Sequence, residues 1–289
     1  MIRNANLAGA LFMTLSMVGF AVNDATIKVF AGQYELMQVI FVRGLFALLF
    51  IGGLTWARGM MRPFPKGRDR KLIGLRALGE VGATLFFLTA LFNMPIANAT
   101  AVMQFLPLAI TLTALVMGEP VGWRRILAAL VGLVGVLIIV RPGTEGFNSY
   151  SALCLLAVAS LVLRDMATRH LSAEIPSLYV SFITTIVILL LGGVGTLIVG
   201  WKPMAWADAG VLAGGACFLM AGYTFGVMSM RTGDVSFTSP FRYTVLLWAI
   251  ILGYVVFDET LDLWTIIGSL IVVAAGLFTF MRERRGAVK

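Results

Sequence analysis

A chain of 289 residues that is 60% hydrophobic and only 12% charged, with a mean hydropathy of +0.95, cannot clothe a water-soluble fold of that size in polar surface. Its net charge of +8 does not point to nucleic acid, because the basic residues gather in short connections between apolar runs and no aromatic platform is interleaved with them. Two cysteines within apolar runs, Cys154 and Cys217, and a single histidine, His170, leave no disulfide framework and no histidine metal cluster, and no cofactor is expected.

The apolar runs are about 20 residues long, the length that spans a hydrocarbon core of ~30 Å as a helix. The first, 7–30, follows Arg3 and continues through Asn23 and Asp24 without a small-residue cleavage site, so it reads as a span and not as a signal peptide. Spans 34–56 and 72–93 are separated by a connection holding Arg58, Arg62, Lys66, Arg68, Arg70 and Lys71, with Pro63 and Pro65. Pro95 opens span 96–117, which a hinge at Gly118-Glu119-Pro120 closes. Span 123–140 begins beside Arg124 and Arg125 and stops at Arg141-Pro142-Gly143. Five further spans, 151–171, 176–199, 207–229, 235–257 and 262–281, are delimited by Pro176, Pro203, Gly233-Asp234 and Asp258-Glu259.

The second five spans echo the first. Moving on by 140 residues carries Glu119 to Glu259, Trp123 to Leu263 and Gly135 to Ala275. An offset of 141 carries Asp24-Ala25-Thr26-Ile27-Lys28 to Asp165-Met166-Ala167-Thr168-Arg169. A period of half the chain means an internal duplication, with units at 1–145 and 146–289. Placing the N-terminus inside puts 15 of the basic residues in cytoplasmic loops and leaves Arg141 and Lys202 opposite, so both termini are expected in the cytoplasm. Five spans per unit is an odd number, so the second unit enters the membrane from the other side. The expected fold is therefore all-α, with ten transmembrane helices as two inverted five-helix repeats, an architecture of secondary transporters.

The ten-span plan, the glutamates after spans four and nine, Arg141-Pro142 after span five and the stretch Ser239-Pro240-Phe241-Arg242-Tyr243 resemble the EamA-type branch of the drug/metabolite transporter superfamily. The resemblance runs over essentially the whole chain. It implies alternating-access movement of a small organic solute across a bacterial-type inner membrane, with vitamins such as riboflavin, nucleosides, amino acids and aromatic metabolites among the solutes. The expected partners are that solute and the bilayer, with no nucleic acid, and the protein is expected as a monomer or a homodimer.

Charges inside spans are costly and mark functional candidates. Five basic residues lie outside the loops: Lys28, Arg43, Arg76, Arg164 and Arg242. Lys28 and Arg76 are near enough to span ends to snorkel. Arg43 and Arg242 are candidates for substrate contact, since a guanidinium presents a planar fork of donors to a carboxylate or a carbonyl-rich ring. Tyr243 and Trp248 would add stacking surface, and Pro240 would open the backbone beside them. Asn23, Asn98, Gln104 and Tyr223 complete a candidate cavity lining, although helix–helix hydrogen bonds would satisfy them equally well. Three acids, Glu80, Asp24 and Asp165, are proton-coupling candidates, Glu80 first. The alternative is local neutralisation of Asp24 by Lys28 and of Glu80 by Arg76, four residues apart on one helix face. Gly132, Gly135, Gly210, Gly214, Gly222 and Gly226 read as close-packing positions. No Walker A run, nucleophile–base pair or HExxH run is present, so a transporter is favoured over a membrane-embedded enzyme or a passive channel.

Overall fold

The computed structural model describes residues 2–118, 122–141, 148–172, 174–232 and 235–287, and these are helical or in short connections, with no strand among them. Glu119, Pro120, Pro142, Gly143, Glu145, Gly233 and Asp234, which the sequence marks as breaks or loops, lie outside the described residues. The helices are α1 (Ile2–Lys28), α2 (Leu36–Ala57), α3 (Gly67–Asn93), α4 (Ile96–Met103), α5 (Leu106–Val116), α6 (Trp123–Val140), α7 (Ser149–Arg169), α8 (Ser177–Val199), α9 (Trp206–Thr232), α10 (Val235–Thr238), α11 (Thr244–Phe257) and α12 (Leu263–Ala287). A backbone in hydrocarbon has to satisfy its own N–H and C=O groups, and uninterrupted apolar runs do so as helices. Among the described residues eight helical segments are long and apolar enough to cross a membrane, α4 and α5 together forming one of them. Two shorter apolar helices, 126–140 and 263–278, bring the set to ten.

Two spans are interrupted, the fourth against the continuous helix that its sequence suggests and the ninth where Pro240 marks an opening of the backbone. The fourth stops at Met103, turns at Gln104 and Phe105, and resumes as α5 with Pro107 in its first turn. Proline has no N–H to offer the carbonyl four residues earlier, so the ladder is broken at that point. The ninth opens with the single turn of α10 and a 3-10 turn, Ser239–Tyr243, containing Pro240, before α11 begins. Both breaks therefore fall in the fourth span of their unit, each beside a proline.

Packing follows the same duplication. Helix α1 lies along α9, α3 along α7, α2 along α8 and α6 along α12, while α4 meets α11. Exchanging the two units turns the α1–α9 pair into α3–α7 and leaves the other three pairs unchanged. Small residues set the distances at these contacts. A Cβ on Gly19 would meet the Phe218 carbonyl at 2.6 Å, and one on Gly135 would meet the Gly268 carbonyl at 2.9 Å. Gly132, Gly222 and Gly226 also sit against neighbouring helices, as their spacing suggests. Gly210 and Gly214 do not: a Cβ there meets nothing within 4 Å, and Gly215 takes the packing role beside Thr26.

One face of the bundle is tied together by polar contacts. Gln38 is fully buried and exchanges two hydrogen bonds with the Lys202 backbone, at 2.8 and 3.0 Å, which fixes the α8–α9 connection to the start of α2. Tyr34 donates to Asp208 at 2.6 Å, and Lys202 pairs with Glu35 at 2.9 Å. At the same face Asp262 starts α12. Its carboxylate accepts from the Trp264 and Thr265 N–H groups at 2.9 and 3.0 Å, takes the Thr265 hydroxyl at 2.7 Å, and pairs with Arg141 from the end of α6. Partial burial disfavours the charge, but the hydrogen bonds from Thr265, the Arg141 guanidinium and the Trp264 N–H outweigh it and hold the carboxyl below its ordinary 3.8. Asp262→Ala is expected to lower stability by about 1 kcal/mol, the typical worth of an N-cap. Because the folded carboxyl is the more acidic one, this contribution is present above pH 3.8 and fades as pH falls through the lower folded value. Thermal denaturation of the two proteins at pH 7 should show the gap, and an unchanged Tm in the variant would refute the capping role.

Candidate functional site

The interior of the bundle carries a chain of polar side chains drawn from six helices of both units. Asn23 and Asp24 come from α1, Arg43 from α2, Arg76 and Glu80 from α3, Arg164 and Asp165 from α7, Thr184 from α8 and Tyr223 from α9. Asn23, 3% exposed, donates to Asp24 at 3.0 Å and accepts from Arg43 at 3.4 Å. Arg164 binds two acids, Glu80 at 3.4 Å and Asp165 at 2.8 Å. Arg76 reaches across to α8 and donates to the Thr184 hydroxyl. Tyr223 stands within electrostatic reach of Glu80, Arg164, Arg43 and Arg76. It is 49% exposed, and its ring meets the Phe20 ring of α1 edge-on at 5.2 Å.

Close backbone approach brings Arg164 to Glu80. A Cβ on Gly79 would meet the Ser160 carbonyl at 2.7 Å and the Arg164 nitrogen at 2.8 Å, so α7 can lie this near α3 only because residue 79 is glycine. The neighbouring residue, Glu80, then falls beside the Arg164 side chain.

These contacts replace the local pairings that the sequence offered. Asp24 is held by Asn23 and not by Lys28, and Glu80 is bound by Arg164 and not by Arg76. Neither Lys28 nor Arg76 snorkels. Lys28, 10% exposed at its side chain, pairs with Glu259 at 2.9 Å, donates to the Leu91 and Met94 carbonyls, and lies over the Phe257 ring. The other carboxylate oxygen of Glu259 accepts the Ile96 N–H at 2.9 Å and so caps α4. The clasp joins the end of α1, the α3–α4 turn and the end of α11.

The remaining candidates fall elsewhere. Asn98 and Gln104 lie on and at the end of α4, and Trp248 lies on α11, the helix that α4 meets. Asn98 Oδ1, Gln104 Nε2 and Trp248 Nε1 are buried without a hydrogen-bond partner. Arg242 is exposed on the 3-10 turn, and Tyr243 is 8% exposed and packs against Gly276 of α12, where a Cβ would collide with its ring. Thr184, Arg164 and the Lys28–Glu259 clasp carry no motif of their own. The repeat held a signal for the first two, since an offset of 141 places Asn23 on Arg164 and Arg43 on Thr184. Two apolar grooves, about 470 Å³ between α6 and α12 and about 390 Å³ among α3, α5 and α7, include no residue of the charged chain.

Among the described residues, ten apolar helices, a twofold pattern of contacts and charges held in the bundle interior describe a polytopic membrane protein. The sequence model of the EamA-like transporter family matches residues 7–141 and again 148–281, and the chain belongs to that family. It is a transporter and not an enzyme. It is similar to the S-adenosylmethionine uptake transporter of Rickettsia prowazekii, 24% identical over 96% of this chain and 94% of the relative. It is also similar to the pseudopaline exporter of Pseudomonas aeruginosa, 22% identical over 96% of this chain and 98% of the relative. A protein crystal structure matches in fold with a TM-score of 0.60 at 19% identity, covering 99% of this chain and 100% of that one.

Gly79→Ala is expected to force α7 away from α3 and to cost about 1–3 kcal/mol, the usual penalty of overpacking. Gly74→Ala is the control on the same helix, since a Cβ there meets nothing within 4 Å. Equal thermal stability of the two variants would show that the approach is not tight.

Proposed function

We propose that the protein is a secondary transporter that carries a small organic metabolite across the cytoplasmic (inner) membrane by alternating access, with the solute bound between two inverted five-helix units, 1–145 and 146–289. The observation that carries this reading is the interior chain of three arginines and three acids contributed by helices of both units. Charges in such a place persist where they serve a solute or ion pathway. The interrupted fourth span in each unit supports the same reading, because broken helices at corresponding positions build transporter sites near the midplane.

Asn23, Arg43 and Tyr223 of the polar chain are assigned to solute contact, and so are Asn98 and Gln104 at α4 and Trp248 on α11. Arg242, exposed beside α1 on the 3-10 turn, is assigned to the approach, and Tyr243 to holding that turn against α12. Glu80, Asp24 and Asp165 are the groups proposed to exchange protons during the cycle, with Glu80 foremost because its partner Arg164 also binds Asp165. One relative is named for uptake and another for export, so direction is left to measurement.

Counterflow in proteoliposomes tests the proposal, with labelled S-adenosylmethionine, L-tryptophan, riboflavin and uridine each offered against its own unlabelled pool. At least one is expected to overshoot, which a channel cannot produce; absence of overshoot for all four in folded, reconstituted protein would refute a carrier. Glu80→Gln is expected to keep exchange while losing its response to a pH gradient, and an unaltered response would remove Glu80 from coupling. Orientation is tested by membrane-impermeant thiol labelling of Arg70→Cys and Trp206→Cys in a Cys217→Ser background. Reaction of Trp206→Cys alone from outside intact cells is expected, and reaction of Arg70→Cys would reverse the assignment of the termini to the cytoplasm.

A further inference from the structure

Five of the six tryptophans are exposed and stand at helix ends or just beyond them, Trp56 and Trp123 at one end of the bundle and Trp201, Trp206 and Trp264 at the other. An indole, with an apolar body and a polar N–H, settles where hydrocarbon meets headgroups, so these rings mark the two faces of the bilayer. Trp123 opens α6 on the face assigned above to the cytoplasm, and the Arg124 guanidinium lies over its ring at 5.2 Å. Arg124 therefore sits at headgroup depth. It is exposed, and among the described residues no carboxylate pairs with it.

From that point the groove of about 470 Å³ between α6 and α12 runs toward the middle of the membrane. On α6 its lining extends from Trp123 to Val131, about 12 Å at the rise of a helix. On α12 it extends from Phe278 back to Ile271, about 10 Å. One leaflet contributes about 15 Å of hydrocarbon, half of the core. Ala128 and Ala275, both buried, leave room at the bottom of the groove, while Leu127, Val131 and Phe278 stand exposed beside it. The groove has the length and lining for one acyl chain of a single leaflet, with a guanidinium at its headgroup end.

The duplication does not require that charge. An offset of 140 places Arg124 on Trp264, at the start of α12 on the opposite face, where Asp258, Glu259 and Asp262 are close in sequence. At the groove the sequence instead gathers Arg124, Arg125, Arg282, Arg284 and Arg285 against Glu119 and Glu283. A net positive end on an apolar groove is complementary to a phosphodiester that brings no cation of its own.

We propose that the groove between α6 and α12 binds a glycerophospholipid of the cytoplasmic leaflet with a net-anionic headgroup, its phosphate received by Arg124 and one acyl chain lying between the two helices. The choice of leaflet rests on the orientation proposed above, and the site rests on the groove and its arginine.

Native mass spectrometry of the purified protein, titrated with phosphatidylglycerol and with phosphatidylcholine of the same acyl chains, tests the site. Phosphatidylglycerol is expected to bind about fivefold more tightly, the worth of one basic residue at an anionic surface. It should also raise the Tm more than phosphatidylcholine does, since a ligand of the folded state stabilises it. Arg124→Gln should bring phosphatidylglycerol down to the level of phosphatidylcholine. Ala274→Trp, which sets a ring in the groove from an exposed position, should weaken both lipids. Leu197→Trp, at an 86% exposed position on α8, should weaken neither. Equal affinity for the two lipids in the unaltered protein, or a preference that survives Arg124→Gln, would overturn the site. A dimer that Ala274→Trp dissociates would overturn it as well, because the occupant would then be a second copy of the chain. Reversed thiol labelling of Arg70→Cys and Trp206→Cys would overturn the leaflet and the orientation together, whereas loss of the lipid preference would overturn the site alone.

Discussion

Inside a bilayer a charge has no water to fall back on, and the architecture of this protein follows from where it finds partners instead. Most of the helical surface needs no explanation beyond apolar residues meeting lipid. The charged residues do, and they are met by partners far away in sequence: Lys28 by Glu259, Arg164 by Glu80, Arg76 by Thr184. Each of these contacts joins the first unit to the second. The interior charges therefore hold the two units in register while also giving the bundle its polar centre.

Glycine and serine make this pairing feasible. A salt bridge at 3.4 Å between side chains of α3 and α7 requires the backbones to come nearly into contact, and Gly79 against Ser160 permits that. On the opposite pair, Gly19 and Gly222 do the same for α1 and α9, where Ser16 donates to the Gly222 carbonyl at 2.6 Å. Small residues and charges thus act together, one setting the separation that the other needs.

Much of this was readable in the sequence, for identifiable reasons. Apolar runs of bilayer length gave the helices, and the offset carrying Asp24 to Asp165 gave the duplication. Arg43, Asn23, Tyr223 and Glu80 stood out as polar residues where lipid was expected, and the fold gathers them. Their partners were not readable, because a spacing of four along one helix suggests a pairing that a nearer group on another helix can displace. Glu80 has Arg76 one turn away on its own helix and nonetheless binds Arg164, since Gly79 brings α7 so close. The break at Gln104 was hidden, because a proline in an apolar run does not say where the chain resumes, whereas Pro240 had marked the one at Ser239–Tyr243. Gly210 and Gly214 misled for the converse reason: periodic glycines name a helix face but not which neighbour, if any, covers it.

The clasp at Glu259 bears on how the protein is made. Its carboxylate caps α4 through Ile96, 163 residues earlier, and neutralises Lys28 near the start of the chain. A ribosome delivers α1 and α4 to the membrane long before Glu259 exists, so during synthesis the first unit holds an uncompensated ammonium and an uncapped helix. That unit reaches its final arrangement only when the end of α11 emerges. Chains truncated before that point would carry an exposed polar defect, which is the kind of signal by which a cell's membrane proteases recognise an unfinished product.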